Sequence, residues 1–85
     1  MTLTKQQVMQ ALNKGKYIRW TTTTGSIIVR KKNKTDYDFY VFEEGQEEAA
    51  HYLGFIHNVM LTMNDKNSNK DFEIVDPSDV EIEFN

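Results

Sequence analysis

The chain of 85 residues has no cysteine, one proline and four glycines, and nowhere a long apolar run. Without cysteine there is neither a disulfide scaffold nor a thiolate metal site, and the composition suits a reducing compartment. No 18 apolar residues occur together and the start lacks the apolar core of a secretory signal, so a cytoplasmic protein without membrane contact is expected. A glycine-rich phosphate loop is missing, and no serine sits in a Gly-x-Ser-x-Gly context, which removes the common nucleophile and nucleotide signatures. Acids are absent from residues 1–35 altogether.

What is present is aromatic and charged. Five Phe, four Tyr and Trp20 must supply most of the core, because a domain this small buries only about 60% of its unfolded surface. The length suits one domain, residues 1–85. The net charge of −3 averages two opposite fields: residues 1–35 carry +8, and residues 36–85 carry −11. Local fields, not their average, decide what a surface attracts.

Periodicity orders the chain as αβββα followed by two short strands. Thr4 and Gln7 have capping-box spacing, Leu3 and Val8 flank them as a hydrophobic staple, and Gly15 is placed to end a helix over residues 5–14. Residues 16–23, 26–32 and 37–44 alternate as strands, punctuated by Gly25 and the polar run 33–36. The third strand is apolar on both faces, with Tyr37, Phe39 and Val41 opposing Tyr40 and Phe42. Residues 46–63 read as the principal helix, because Ala49, Leu53, Ile56, Met60 and Met63 recur at steps of four and three. Phe72 and Ile74, then Val80, Ile82 and Phe84, alternate as the closing strands around the turn 76–79. The expected class is α+β: a short N-terminal helix, a mostly antiparallel sheet of four to five strands, and one long helix packed on it. The second face of that sheet would need the first helix, a partner or a second copy to cover it.

Several constellations resemble chemistry without carrying it. Asp65, Asn67, Asn69 and Asp76 have the spacing of calcium-loop positions 1, 3, 5 and 12. Lys70 stands where the loop needs glycine, however, and Asp76 where it needs glutamate, so the segment reads as a solvated loop. On a continuous helix His51 and His57 would sit about 120° apart, too far round to share a metal. No catalytic residue, cofactor or metal ligand is therefore assigned, and a non-enzymatic protein is expected.

Two patches are candidates for binding. Glu43, Glu44, Glu47 and Glu48 surround Gly45, and clustered carboxylates on a small scaffold can imitate phosphate spacing. His51 and Phe55 would share the polar face of the long helix, where an aromatic ring can anchor an interface. These six residues form the expected partner-binding patch. The alternative is a nucleic-acid surface made by Lys16, Arg19, Arg30, Lys31, Lys32 and Lys34, interleaved with Tyr17 and Trp20. A homodimer closing its sheet through the Tyr40/Phe42 face or an unpaired edge strand is a third reading.

The organisation resembles the small phage-encoded type II-A anti-CRISPR proteins, which block a CRISPR nuclease. The likeness rests on a short helix closing on Asn13-Lys14-Gly15-Lys16-Tyr17, three antiparallel strands, the acidic stretch 40–48 before a striped helix, and an acidic tail. It implies a non-enzymatic inhibitor of a host protein or nucleoprotein complex, working in the cytoplasm of a bacterial host. Those proteins are acidic throughout, whereas residues 1–35 here are basic.

Overall fold

A computed structural model describes residues 3–64 and 72–80. The class is α+β, with two α-helices and a five-stranded antiparallel sheet among the described residues. Helix α1 (Lys5–Asn13) begins at a complete capping box. Thr4 Oγ1 accepts from the Gln7 amide at 3.2 Å, and Gln7 Oε1 accepts from the Thr4 amide at 2.8 Å. At the other end Gly15 takes φ +82°, so that its own N–H reaches the Leu12 carbonyl and the Lys16 N–H reaches that of Ala11. Those two bonds satisfy carbonyls the last turn would leave bare.

The strands are β1 (Tyr17–Thr21), β2 (Gly25–Lys31), β3 (Tyr37–Glu43), β4 (Ala50–Gly54) and β5 (Glu73–Val75), in spatial order β4-β3-β2-β1-β5. Their pairing fixes the faces. Ile18 opposes Val29 and Trp20 opposes Ile27, while Val29 in turn opposes Phe39. That face meets Val8, Ala11 and Leu12 of α1 in one core that also holds Val59 and Phe72. Trp20 and Phe72 pack with ring centroids 5.3 Å apart. Asn33 organises the β2–β3 turn by accepting from the amides of Thr35 and Asp36 at 3.0 and 2.8 Å, a side chain standing in for a backbone turn.

The long helix expected over residues 46–63 is not there. Residues 50–54 form β4 instead, pairing Ala50 with Val41 through to Gly54 with Tyr37. Only Ile56–Asn64 is helical, as α2. The second half of the apolar stripe faces the core: Val59 is fully buried, and Ile56, Met60 and Met63 pack on it. Leu53 is 60% exposed. The strand prevails because it completes hydrogen bonding along the flank of β3, which a continuous helix would leave bare. Gly54 marks the change of direction. A Cβ there would lie 2.6 Å from Cε1 of Phe39, so any side chain at this position forces that ring to shift. Phe55 then donates its N–H to Oδ1 of Asn58 at 2.8 Å, half of a capping box that starts α2.

Both helices pack on the face of Ile18, Trp20 and Val29. Helix α1 therefore does not cover the opposite face, as the sequence had allowed. There Arg19, Ile28, Tyr40 and His51 align in one row across β1 to β4, and Arg30, Asp38 and Leu53 in the next. A single turn of 3-10 helix (Pro77–Asp79) follows β5 where the turn 76–79 was read. The expected last strand lies from residue 81 onward outside the described residues, as do Asp65, Asn67 and Asn69. No helix among the described residues is long and apolar enough to cross a membrane.

Candidate functional site

Three of the eight cations in residues 1–35 pair with acids of the second half. Lys16 pairs with Asp76, a bond spanning 60 positions. Because β1 pairs with β5, Arg19 Nε comes within 3.5 Å of Glu73 Oε1. Arg30 Nε donates to Asp38 Oδ2 at 2.8 Å, and Lys31 Nζ donates to Asn13 Oδ1 at 2.7 Å. Of the six residues considered for phosphate contact, Lys32 and Lys34 are left exposed without an ion pair among the described residues. They sit at the β2–β3 turn.

Asp38 is the one buried charged side chain among the described residues, at 2% exposure. Its second oxygen, Oδ1, accepts from His51 Nε2 at 2.7 Å, and the His51 ring stacks on Tyr40 with centroids 4.8 Å apart. Burial pushes the Asp38 carboxyl up, but the hydrogen bonds from His51 and Arg30 and their charges outweigh it, and its pKa is lowered. The Tyr40 hydroxyl is raised by burial first and by the Asp38 charge second. Asp38 was missed in the sequence, although the hairpin register that sets it opposite Arg30 follows from the position of the turn. His51 lies on β4, not on a helix, and its contact with Asp38 holds the imidazole against the sheet.

The acids behave differently. Glu43 closes β3, and Glu44, Glu47 and Glu48 occupy the loop 44–49 around Gly45 at φ +84°. All four are exposed and have no ion pair among the described residues. Phe55 is 61% exposed, but it stands beyond the far end of β4, about 16 Å from the loop by the rise of a five-residue strand. The six expected contact residues are thus not one compact cluster. They are strung along β4: acids before it, His51 within it, Phe55 after it.

That strand borders an apolar surface. Tyr52, Leu53, Phe55 and Leu61 are each more than half exposed. A groove of about 460 Å³ between α2 and the sheet is lined by Trp20, Ile27, Phe39, Val41, Tyr52 and Leu61. Trp20 Nε1 is buried and has no hydrogen-bond partner among the described residues. Among the described residues no three His, Asp or Glu side chains gather as a metal site.

No family model, curated protein or solved structure matches the chain. The surface along β4 combines a loop of exposed carboxylates, an apolar strand edge and, beside them, the Asp38–His51–Arg30 cluster.

Proposed function

We propose that the chain is a non-enzymatic protein of phage or mobile-element type that binds and inhibits a host macromolecular machine. It docks through the carboxylates Glu43, Glu44, Glu47 and Glu48 and the apolar residues Tyr52 and Phe55 along β4. The observation that carries this reading is the asymmetry of the charges. Four of the eight cations of the first half are engaged within the fold, whereas none of the four loop carboxylates has an ion pair among the described residues. Unpaired charge of one sign steers encounter with a surface of the other sign, and buried aromatics supply the holding energy. A basic groove that normally receives phosphates is the matching partner, the mode of action that the anti-CRISPR resemblance implies.

The test is a pull-down from bacterial lysate with the wild-type chain and with the triple variant Phe55→Ala, Glu47→Lys, Glu48→Lys. All three side chains are exposed, so the variant is expected to fold with an unchanged circular dichroism spectrum and to lose the captured host protein. Undiminished capture by the triple variant refutes the assignment of the patch.

The nucleic-acid reading has less to draw on. Of the six residues it names, Lys32 and Lys34 are exposed without an ion pair among the described residues, and phosphate contact through those two gives a log–log salt slope of about −2. A slope several times steeper in a titration with DNA or RNA would favour that reading instead.

A further inference from the structure

We infer that two copies of this chain pair through β4, antiparallel and about a two-fold axis near Tyr52, to run one continuous sheet through both. The first ground is the strand itself. β4 is terminal in the sheet order, and its outer edge is unpaired among the described residues. It reads Ala-His-Tyr-Leu-Gly, and its first four residues are exposed. Sheet edges are normally blunted by charge, proline, a bulge or shortness. β5, at the other end of the described sheet, has those protections: it is three residues long, carries Glu73, and is followed closely by Pro77. β4 has no Lys, Arg, Asp, Glu or Pro, and Tyr52 and Leu53 are 59% and 60% exposed. Such an edge is built to be covered.

The second ground identifies the occupant. The two ends of β4 border opposite charges. Beyond Ala50 lies the loop with Glu43, Glu44, Glu47 and Glu48, and beyond the Tyr37–Gly54 pair lies the β2–β3 turn, where Lys31, Lys32 and Lys34 outnumber the single acid Asp36. Antiparallel pairing reverses one copy, so each acidic loop comes to the same end of the joined sheet as the basic turn of the other copy. Two strand spacings separate them, about 10 Å, comparable to the screening length at physiological salt. Parallel pairing would set like charge beside like at both ends. A two-fold interface must be self-complementary, and this strand with its flanks meets that condition. Tyr52 then opposes Tyr52 of the second copy, and Leu53 opposes His51, burying apolar surface now in water.

This inference goes beyond the proposed host contact, and both use the same edge, so they are alternatives for one surface. The purified chain alone tests it, whatever becomes of the host partner. With no native cysteine, Tyr52→Cys introduces a unique thiol at the dyad, where directly opposed Cα atoms of antiparallel strands lie within disulfide range. Mild oxidation is expected to link most of the Tyr52→Cys protein as dimer, while Thr35→Cys, on the exposed β2–β3 turn, stays at least tenfold less linked. Sedimentation of the unmodified chain is expected to give a dimer at tens of micromolar. Tyr52→Lys, which sets two like charges face to face, is expected to weaken that dimer at least tenfold while the circular dichroism spectrum is kept. Mixing Lys32→Glu/Lys34→Glu with Glu47→Lys/Glu48→Lys is expected to give heterodimers in preference to either homodimer. A monomer at several hundred micromolar, or equal crosslinking at positions 52 and 35, overturns the inference.

Discussion

Replacing Asp38 by Asn probes the one place where the two charged halves of the chain meet inside the fold. The carboxylate is 2% exposed and accepts two charge-assisted bonds, from Arg30 Nε at 2.8 Å and His51 Nε2 at 2.7 Å. Asparagine keeps the shape but offers one acceptor oxygen and one donor nitrogen. The amide oxygen can still accept from Arg30 but no longer as a charge, and the His51 contact survives only if a neutral imidazole accepts from the amide N–H. A bond to a charged group contributes about 1.5–3 kcal/mol. Breaking a fully buried ion pair costs about 3–5 kcal/mol, but the Arg30 and His51 side chains are 28% and 43% exposed and can turn to water. The expected loss is about 2 kcal/mol, a large part of the roughly 4–13 kcal/mol typical of a chain this long. It corresponds to a fall in Tm of about 8–16 °C.

Urea unfolding followed by Trp20 fluorescence measures that loss directly, since the chain has one tryptophan and it is buried. The pH dependence supplies a second reading. The folded pKa of Asp38 is lowered, so its contribution is fully present above the unfolded value near pH ~3.9 and disappears as the pH falls through the folded value. The wild type should thus lose its advantage over Asp38→Asn as the pH falls through the lowered folded value, the two unfolding curves converging in acid. Equal stability of the two proteins at pH 7, or a difference that persists unchanged into acid, would refute the reasoning.

Two further substitutions test the packing that places the site. Gly54→Ala would set a Cβ 2.6 Å from Phe39 Cε1 and 3.0 Å from Asn58 Oδ1, and urea unfolding should show a loss of about 1–3 kcal/mol as the Phe39 ring shifts; no change would mean that the chain crosses from β4 to α2 differently. Trp20→Phe removes the indole N–H that has no partner, relieving an unmet donor as it gives up ring volume, so thermal unfolding by circular dichroism should show a cost below about 1.5 kcal/mol, against about 3–5 kcal/mol for Trp20→Ala; a Phe variant as damaged as the Ala variant would count against the N–H being unmet.

Local signals carried most of the architecture. The Thr4/Gln7 box and Gly15 set both ends of α1, and alternation located β1, β2 and β3 to within one or two residues. Residues 46–63 failed as one helix because their apolar spacing satisfies a helix throughout, from Ala49 to Met63, while the competing advantage, a free flank on β3, is a property of the assembled sheet and invisible locally. Gly54 in mid-stripe was the available warning. Of the contact residues, the four glutamates and Phe55 are exposed, a consequence of polarity and position that sequence can anticipate. The role of His51 could not be read, because it depends on Asp38 arriving from another strand.

The separation of charge has a consequence for handling. The Glu43–Glu48 loop and the Lys32/Lys34 turn lie at opposite ends of seven-residue β3, about 20 Å apart, on a body whose longest dimension is 32 Å. A molecule so polarised is poorly described by its isoelectric point of about 5.3. Near neutral pH it can present its lysine end to a negatively charged matrix and be retained there despite its net negative charge. It can equally bind an anion exchanger by the other end. Its chromatographic behaviour follows orientation rather than total charge, and so does the direction from which it first meets any charged surface.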